Sequence, residues 1–219
     1  MLCNRLTLVL GLLTLSACDV VFGLHRDGPT VRASYFVTGA GTSLSIPREL
    51  AIEDGDLVLV AIQGKADATA LTARPLDWVL FVDTKANCAG QFHAWFMSGT
   101  VAGESSFDFT FNGPDNYVAI VTAYGNVGEA TPQRSKTLDG STPHVETLPA
   151  VDVRAGSLAW LGTAGILPFA MDPTNVSPQL AIMNLVVFEP KVEQNQVPEI
   201  EIQVPTPFCT EVAEVIIER

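Results

Sequence analysis

Cys18 is the residue of this chain with the clearest chemical task. It follows an apolar run, Leu6 to Leu15, and two small residues, Ser16 and Ala17. A thiolate is a strong nucleophile, and small neighbours leave the adjoining backbone open to a processing enzyme. Cys18 stands where a secretory cleavage site would fall. Other chemistry-bearing residues are dispersed. His25, His93 and His144 lie far apart, and no CxxC or HxxxH spacing offers a metal site. No G-x-S-x-G elbow marks a hydrolytic serine, and no histidine sits in the context of a triad. Carboxylates are plentiful, which leaves glycoside hydrolysis as the weakest of the readings; on an acidic, strand-rich chain they are solvated strand faces first. The expectation is a protein that is not an enzyme and carries neither cofactor nor metal.

The surrounding N-terminus has the three-part grammar of a signal peptide: Arg5, the apolar run, then small residues. The run is about half the ~20 residues that a membrane-spanning helix needs. Leu15-Ser16-Ala17-Cys18 resembles the lipobox of bacterial lipoproteins. That resemblance implies a signal peptide over 1–17, removed together with Cys3, and a diacylglyceryl group on the Cys18 thiol. In many species the new amine is acylated as well. One acyl chain gives marginal, reversible attachment, whereas two or three hold firmly. The implied location is a membrane of the bacterial cell envelope. Asp19 matches the family's inner-membrane retention rule, and serves equally as a solvated tether residue.

The formal net charge is −12, with 12 basic and 24 acidic residues. A chain this acidic has no electrostatic grip on phosphate backbones, which excludes nucleic acid as the expected partner. The basic residues form no stripe, so membrane attachment falls to the lipid. With Cys18 acylated, Cys88 and Cys209 remain for an oxidising compartment. A disulfide between them would close a loop of about 120 residues, stabilising by ~4–5 kcal/mol in the chain-entropy picture. Two separate buried thiols are the alternative.

Beyond a tether over 18–31, the pattern is of strands. Two short ones, RASYFVTG and TSLSIP, flank a turn at Gly39-Ala40-Gly41. Leu57 to Ile62 is apolar on both faces, as a central strand would be. Leu76, Trp78, Leu80 and Val82 fall on one face of the next strand. Phe92, Ala94 and Phe96 oppose His93, Trp95 and Met97. Phe107, Phe109 and Phe111 point inward from SFDFTFN, and NYVAIVTAYGNV follows as a separate central strand. The polar stretch from about 128 to 144 reads as a long surface loop. Strands resume in VETLPAVDV, GSLAWLGTAG, QLAIMNLVVFEP, PEIEIQV and EVAEVIIE. Regular short strands with turns between them predict an all-β fold, an antiparallel β-sandwich of jelly-roll or Ig-like type over 32–219.

The segment from Asp54 to Val127, with its GDLVLVAI, FDFTF and AIVTAYGNV strands, resembles secreted β-sandwich domains of bacterial surface and phage-tail-associated proteins. The resemblance implies a fold and an exposed setting, with no activity attached. The expected role is therefore binding or structural: protein–protein interaction or envelope assembly. Carbohydrate binding is the alternative, with Trp95 and His93 as candidate ligand-binding residues, because Phe92, Ala94 and Phe96 already claim the opposite face. Asp54 and Asp56 around Gly55 raise calcium as a further reading, against a plain turn.

Overall fold

The computed structural model describes residues 28–64, 69–86, 92–138, 142–165, 170–171, 176–182, 185–190, 192–204 and 210–219. The leader expected over 1–17, Cys18, the tether as far as residue 27, and Cys88 and Cys209 lie outside the described residues.

The described chain is all-β, and every strand pairing is antiparallel. Numbered along the chain, the first sheet takes β1 (Thr30–Pro47), β2 (Leu57–Gly64), β3 (Leu71–Ala73), β4 (Val79–Ala86), β5 (Phe92–Thr100) and β6 (Ser106–Gly125). Its order is β1-β6-β2-β5-β4, with β3 also on β6. The second sheet holds β7 (Glu129–Leu138), β10 (Leu158–Gly165), β12 (Val176–Ile182), β13 (Leu185–Pro190) and β16 (Thr210–Glu218), in the order β12-β13-β10-β16-β7. A third sheet is formed by β8 (His144–Leu148), β11 (Ala170–Met171) and β15 (Ile200–Val204), ordered β11-β15-β8. β9 (Val151–Asp152) pairs with β14 (Gln196–Val197).

The first two sheets face each other strand over strand, β1 against β12 at one side and β4 against β7 at the other. Between them lies a middle core of Leu57, Leu59, Phe96, Ile120, Trp160, Val187, Val215 and their neighbours. Trp160 of the second sheet meets Phe81 and Phe96 of the first edge-on, at 6.5 and 6.0 Å. That geometry adds to the area that each ring buries.

Two more cores flank this one. β1 and β6 are long enough to curl, so Leu44, Ile46, Phe107, Phe109 and Phe111 pack over Val58, Val60, Ile62, Trp95 and Met97 of the same sheet. The bend falls where β1 pairing jumps from Gly41↔Asp115 to Ser43↔Thr110. Gly41 takes φ 109° there, a backbone region that side-chain-bearing residues avoid. On the far side, Ala159, Leu161, Val212 and Ile216 of the second sheet pack on Leu148, Ile200, Ile202 and Val204 of the third.

Several sequence expectations change for reasons visible here. The two short strands around Gly39 to Gly41 are one strand, β1, because its two halves pair with the two halves of β6. SFDFTFN and NYVAIVTAYGNV are likewise one strand, β6. Most of the polar stretch 128–144 is strand: β7 is an edge strand with much of its length in solvent, so polar residues suit it. Trp78 and Val82 do not share a face. Phe81 is an extra residue between the pairs Leu80↔Met97 and Val82↔Phe96, and this bulge moves Val82 into the middle core while Trp78 stays in the curled one.

Trp78 packs between Phe107 at 5.1 Å and Phe109 at 5.8 Å, across Gly99. A Cβ on Gly99 would stand 2.2 Å from the indole. Gly99→Ala is therefore expected to destabilise by ~1–3 kcal/mol through overpacking. Urea unfolding should show a lower midpoint at unchanged slope. Gly113→Ala, where nothing lies within 4 Å of the new methyl, should leave the midpoint close to wild type.

Candidate functional site

β5 presents His93 and Trp95 on the face opposite Phe96, as the alternation predicted, but that face is not open. The curled half of the first sheet covers it, and both side chains are buried. Trp95 stacks on His93 at 4.1 Å and lies 5.1 Å from Phe111 and 6.4 Å from Tyr117. Phe111 and Tyr117 stack at 4.0 Å. Of the two readings the sequence allowed for this face, a ligand-binding surface or a second covered face, the side chains lie as in the second. Trp78 and Trp160 are buried too. The sequence showed that one face of β5 was filled; it did not show that a strand pair from the same sheet would fold back over the other.

The two ring nitrogens of His93 both meet oxygens. Nδ1 contacts the Thr69 carbonyl, and Nε2 lies 2.5 Å from Asp83 Oδ1 on β4. A histidine oriented by a carboxylate is half of a hydrolytic arrangement. Here both nitrogens are engaged and one ring face is against Trp95, so the geometry fixes the ring in place. Burial first, then the Asp115 charge, pushes the Tyr117 phenol up to about 12, and it donates to the Gly113 carbonyl at 3.2 Å.

The aspartates around Gly55 sit in a braced pair of loops at one end of the first sheet. Asp54 Oδ1 accepts from Arg48 Nη1 at 2.7 Å and from the Gly103 amide at 3.1 Å. Asp56 Oδ2 accepts from the Glu53 amide at 2.8 Å and faces Arg32 Nε at 3.7 Å. Each carboxylate thus has its own donors. Among the described residues no group of three or more His, Cys, Asp or Glu is placed to hold a metal ion. Arg48 Nε also reaches the Ile52 carbonyl at 2.9 Å, and its backbone amide the Ser105 carbonyl at 3.0 Å. An open concavity of about 370 Å³ lies here, between Arg48, Glu49, Leu50, Ile52 and the Gly103–Ser105 loop. Tyr35 supports the same end by donating to the Pro47 carbonyl at 2.8 Å; burial first, then the Glu49 charge, pushes it up to about 12.

A second buried charge was not singled out by the sequence. Glu214 is wholly buried on β16, directly opposite Arg134 of β7, with Oε2 2.8 Å from Arg134 Nε. Its neighbours Val212 and Ile216 face the outer core. Arg134 Nη1 continues to the Pro149 carbonyl at 2.7 Å and so ties the second sheet to the end of β8. The only signal in the sequence was one acid within EVAEVIIE at a position where alternation wants an apolar residue.

Compared with known proteins, the chain matches no family model, no curated protein and no solved structure.

Burial pushes the Glu214 carboxyl above its ordinary 4.5, and the Arg134 charge and hydrogen bond pull it partway back. A raised carboxyl favours the folded state where it is protonated. That contribution is fully present below the unfolded value and is lost as pH rises through the folded one. Arg134→Met removes the compensating charge and is expected to destabilise by ~3–5 kcal/mol at neutral pH. The deficit should shrink in mild acid as Glu214 takes a proton. Adding Glu214→Gln should flatten that pH dependence, read by urea unfolding across the acid range.

Proposed function

We propose that this protein is a lipid-anchored component of the bacterial cell envelope with a binding or structural role, in protein–protein contact or envelope assembly. Residues 1–17 are its signal peptide, Cys18 carries the acyl groups, 18–31 form the tether, and 32–219 form a β-sandwich of jelly-roll or Ig-like type. The observation that carries this reading is the run from Arg5 through Leu6–Leu15 to Leu15-Ser16-Ala17-Cys18. The antiparallel, all-β body supports it, since such folds present rigid surfaces and loops to partners. Cys88 and Cys209 complete it as a disulfide pair suited to an oxidising compartment.

The chemistry of retention is simple. Each methylene buried in the bilayer contributes ~0.8 kcal/mol, so two or three acyl chains hold the protein where one would let it exchange. The carbohydrate reading has less behind it, because all three tryptophans are buried and offer no stacking platform.

Cys18→Ser is expected to abolish acylation and to leave the leader uncleaved, read by mass spectrometry as an unlipidated precursor that still carries residues 1–17. Mass spectrometry of the native polypeptide should find a chain beginning at a diacylglyceryl Cys18. An unmodified Cys18 would overturn the proposal.

A further inference from the structure

The exposed large apolar side chains are unevenly placed. Among the described residues they are Val31, Phe36, Leu50, Leu76, Val79 and Val145. Four of the six gather at one end of the first sheet. Strand register shows this directly: Val31 and Leu57 both pair with Tyr124, Leu57 pairs with Thr100, and Val79 pairs with Ser98, two residues before Thr100. The loop bearing Leu50 is bound to this end by the Arg48 amide to Ser105 carbonyl bond and the Gly55 amide to Val101 carbonyl bond.

The two leucines occupy unusual positions. Leu50 is the first central residue of a tight turn closed by the Ile52 amide on the Glu49 carbonyl at 3.0 Å. Leu76 holds the same place in the turn closed by Trp78 on Pro75 at 3.3 Å, with Asp77 at φ 64° after it. Turn apices normally carry Gly, Asn, Asp, Ser or Pro. Here each apex carries a leucine, 102 % and 86 % exposed. The described chain also begins here: β1 starts at Thr30 opposite Gly125, and Gly28 is ten residues from Cys18. At ~3.3–3.6 Å per residue, that connection reaches ~35 Å at most.

We propose that this end is a lipid-docking tip, with Leu50 and Leu76 entering the interfacial layer of the membrane that holds the acyl groups. The inference rests on the Cys18 anchor. The surface it fits is a zwitterionic one. Arg32 and Arg48 are paired with Glu53, Asp54 and Asp56, and Glu49, Asp77 and Glu104 outnumber the one further cation at the leucines, Arg74, whose Nε donates to the Trp78 carbonyl, so the tip stays acidic on balance and anionic headgroups would be repelled. The anchor supplies retention, and the tip sets orientation: the first sheet's loop end toward the bilayer, its opposite end away.

The test uses the mature lipidated protein, beginning at Cys18, in phosphatidylcholine vesicles with plain or brominated acyl chains. The native tryptophans are buried and give a constant background. Leu50→Trp and Leu76→Trp replace exposed side chains, and Val145→Trp, on β8 of the third sheet, is the control. A tryptophan at the headgroup–acyl boundary should be quenched roughly twofold by brominated lipid, while Val145→Trp and wild type stay nearly unchanged. If the variants float with the vesicles and are quenched no more than Val145→Trp, the leucines are not in lipid and the docking proposal fails with the anchor intact. If the wild-type chain does not float with vesicles, the anchor reading fails and takes this proposal with it.

Discussion

The fold depends on one constraint: its inner strands have no solvent face. β2, β5, β10 and β16 are buried almost throughout, as is the second half of β6. Along β2, Leu57, Leu59 and Ala61 enter the middle core, whereas Val58, Val60 and Ile62 enter the curled one. β16 divides its residues the same way, with Ala213, Val215 and Ile217 to the middle core and Val212 and Ile216 to the outer one. A slip of one residue would exchange the occupants of two cores at once, so register is fixed twice over. The same constraint buries the polar residues on these strands with the apolar ones. The Thr163 hydroxyl finds the Val186 carbonyl, 3.2 Å away on the neighbouring strand. Glu214 has the charge of the arginine opposite it, 2.8 Å away.

Polarity returns where the stacking stops. β7, at the edge of the second sheet, alternates polar and half-buried residues, and its pairing with β16 slips beside Pro132. β12, at the other edge, carries Pro178 and its own register shift. β4 has the Phe81 bulge. Proline and bulges are the means by which natural sheets discourage a further strand from adding. The bulge in β4 has a second consequence, because it sends Phe81 and Val82 toward the middle core and closes that side of it against Trp160. Edge protection and core filling are the same local irregularity.

How far this could be read from sequence follows from the same geometry. Two-sided burial produces continuous apolar runs, so Leu57 to Ile62 announced a central strand without ambiguity. One-sided burial produces alternation, so Phe107, Phe109 and Phe111 were placed correctly. What sequence could not supply was which surface covers which. The alternation put Trp95 on the face opposite Phe96 but left open whether that face was covered, because nothing local records that β1 and β6 bend back over it. The bulge at Phe81 was invisible for a similar reason: one added residue leaves no mark in an apolar run. Polar composition misled at β7, where an edge strand and a loop look alike.

The braced loop end shows how charge and exposure are linked. A turn that holds a leucine out in water gains no packing from it, so its shape must be set by something else. Arg48 supplies this at the Leu50 turn. Its side chain bonds the Ile52 carbonyl and Asp54, and its backbone amide bonds the Ser105 carbonyl, which ties the turn to two neighbouring segments. Arg74 does the same for the other turn, donating from Nε to the Trp78 carbonyl at 2.7 Å, while the Trp78 indole is locked beneath Phe107 and Phe109. Both leucines are thus displayed by turns whose rigidity comes from guanidinium bonds and a buried ring. A surface prepared in this way loses little conformational entropy when its apolar tips leave water. That is the property a docking tip needs.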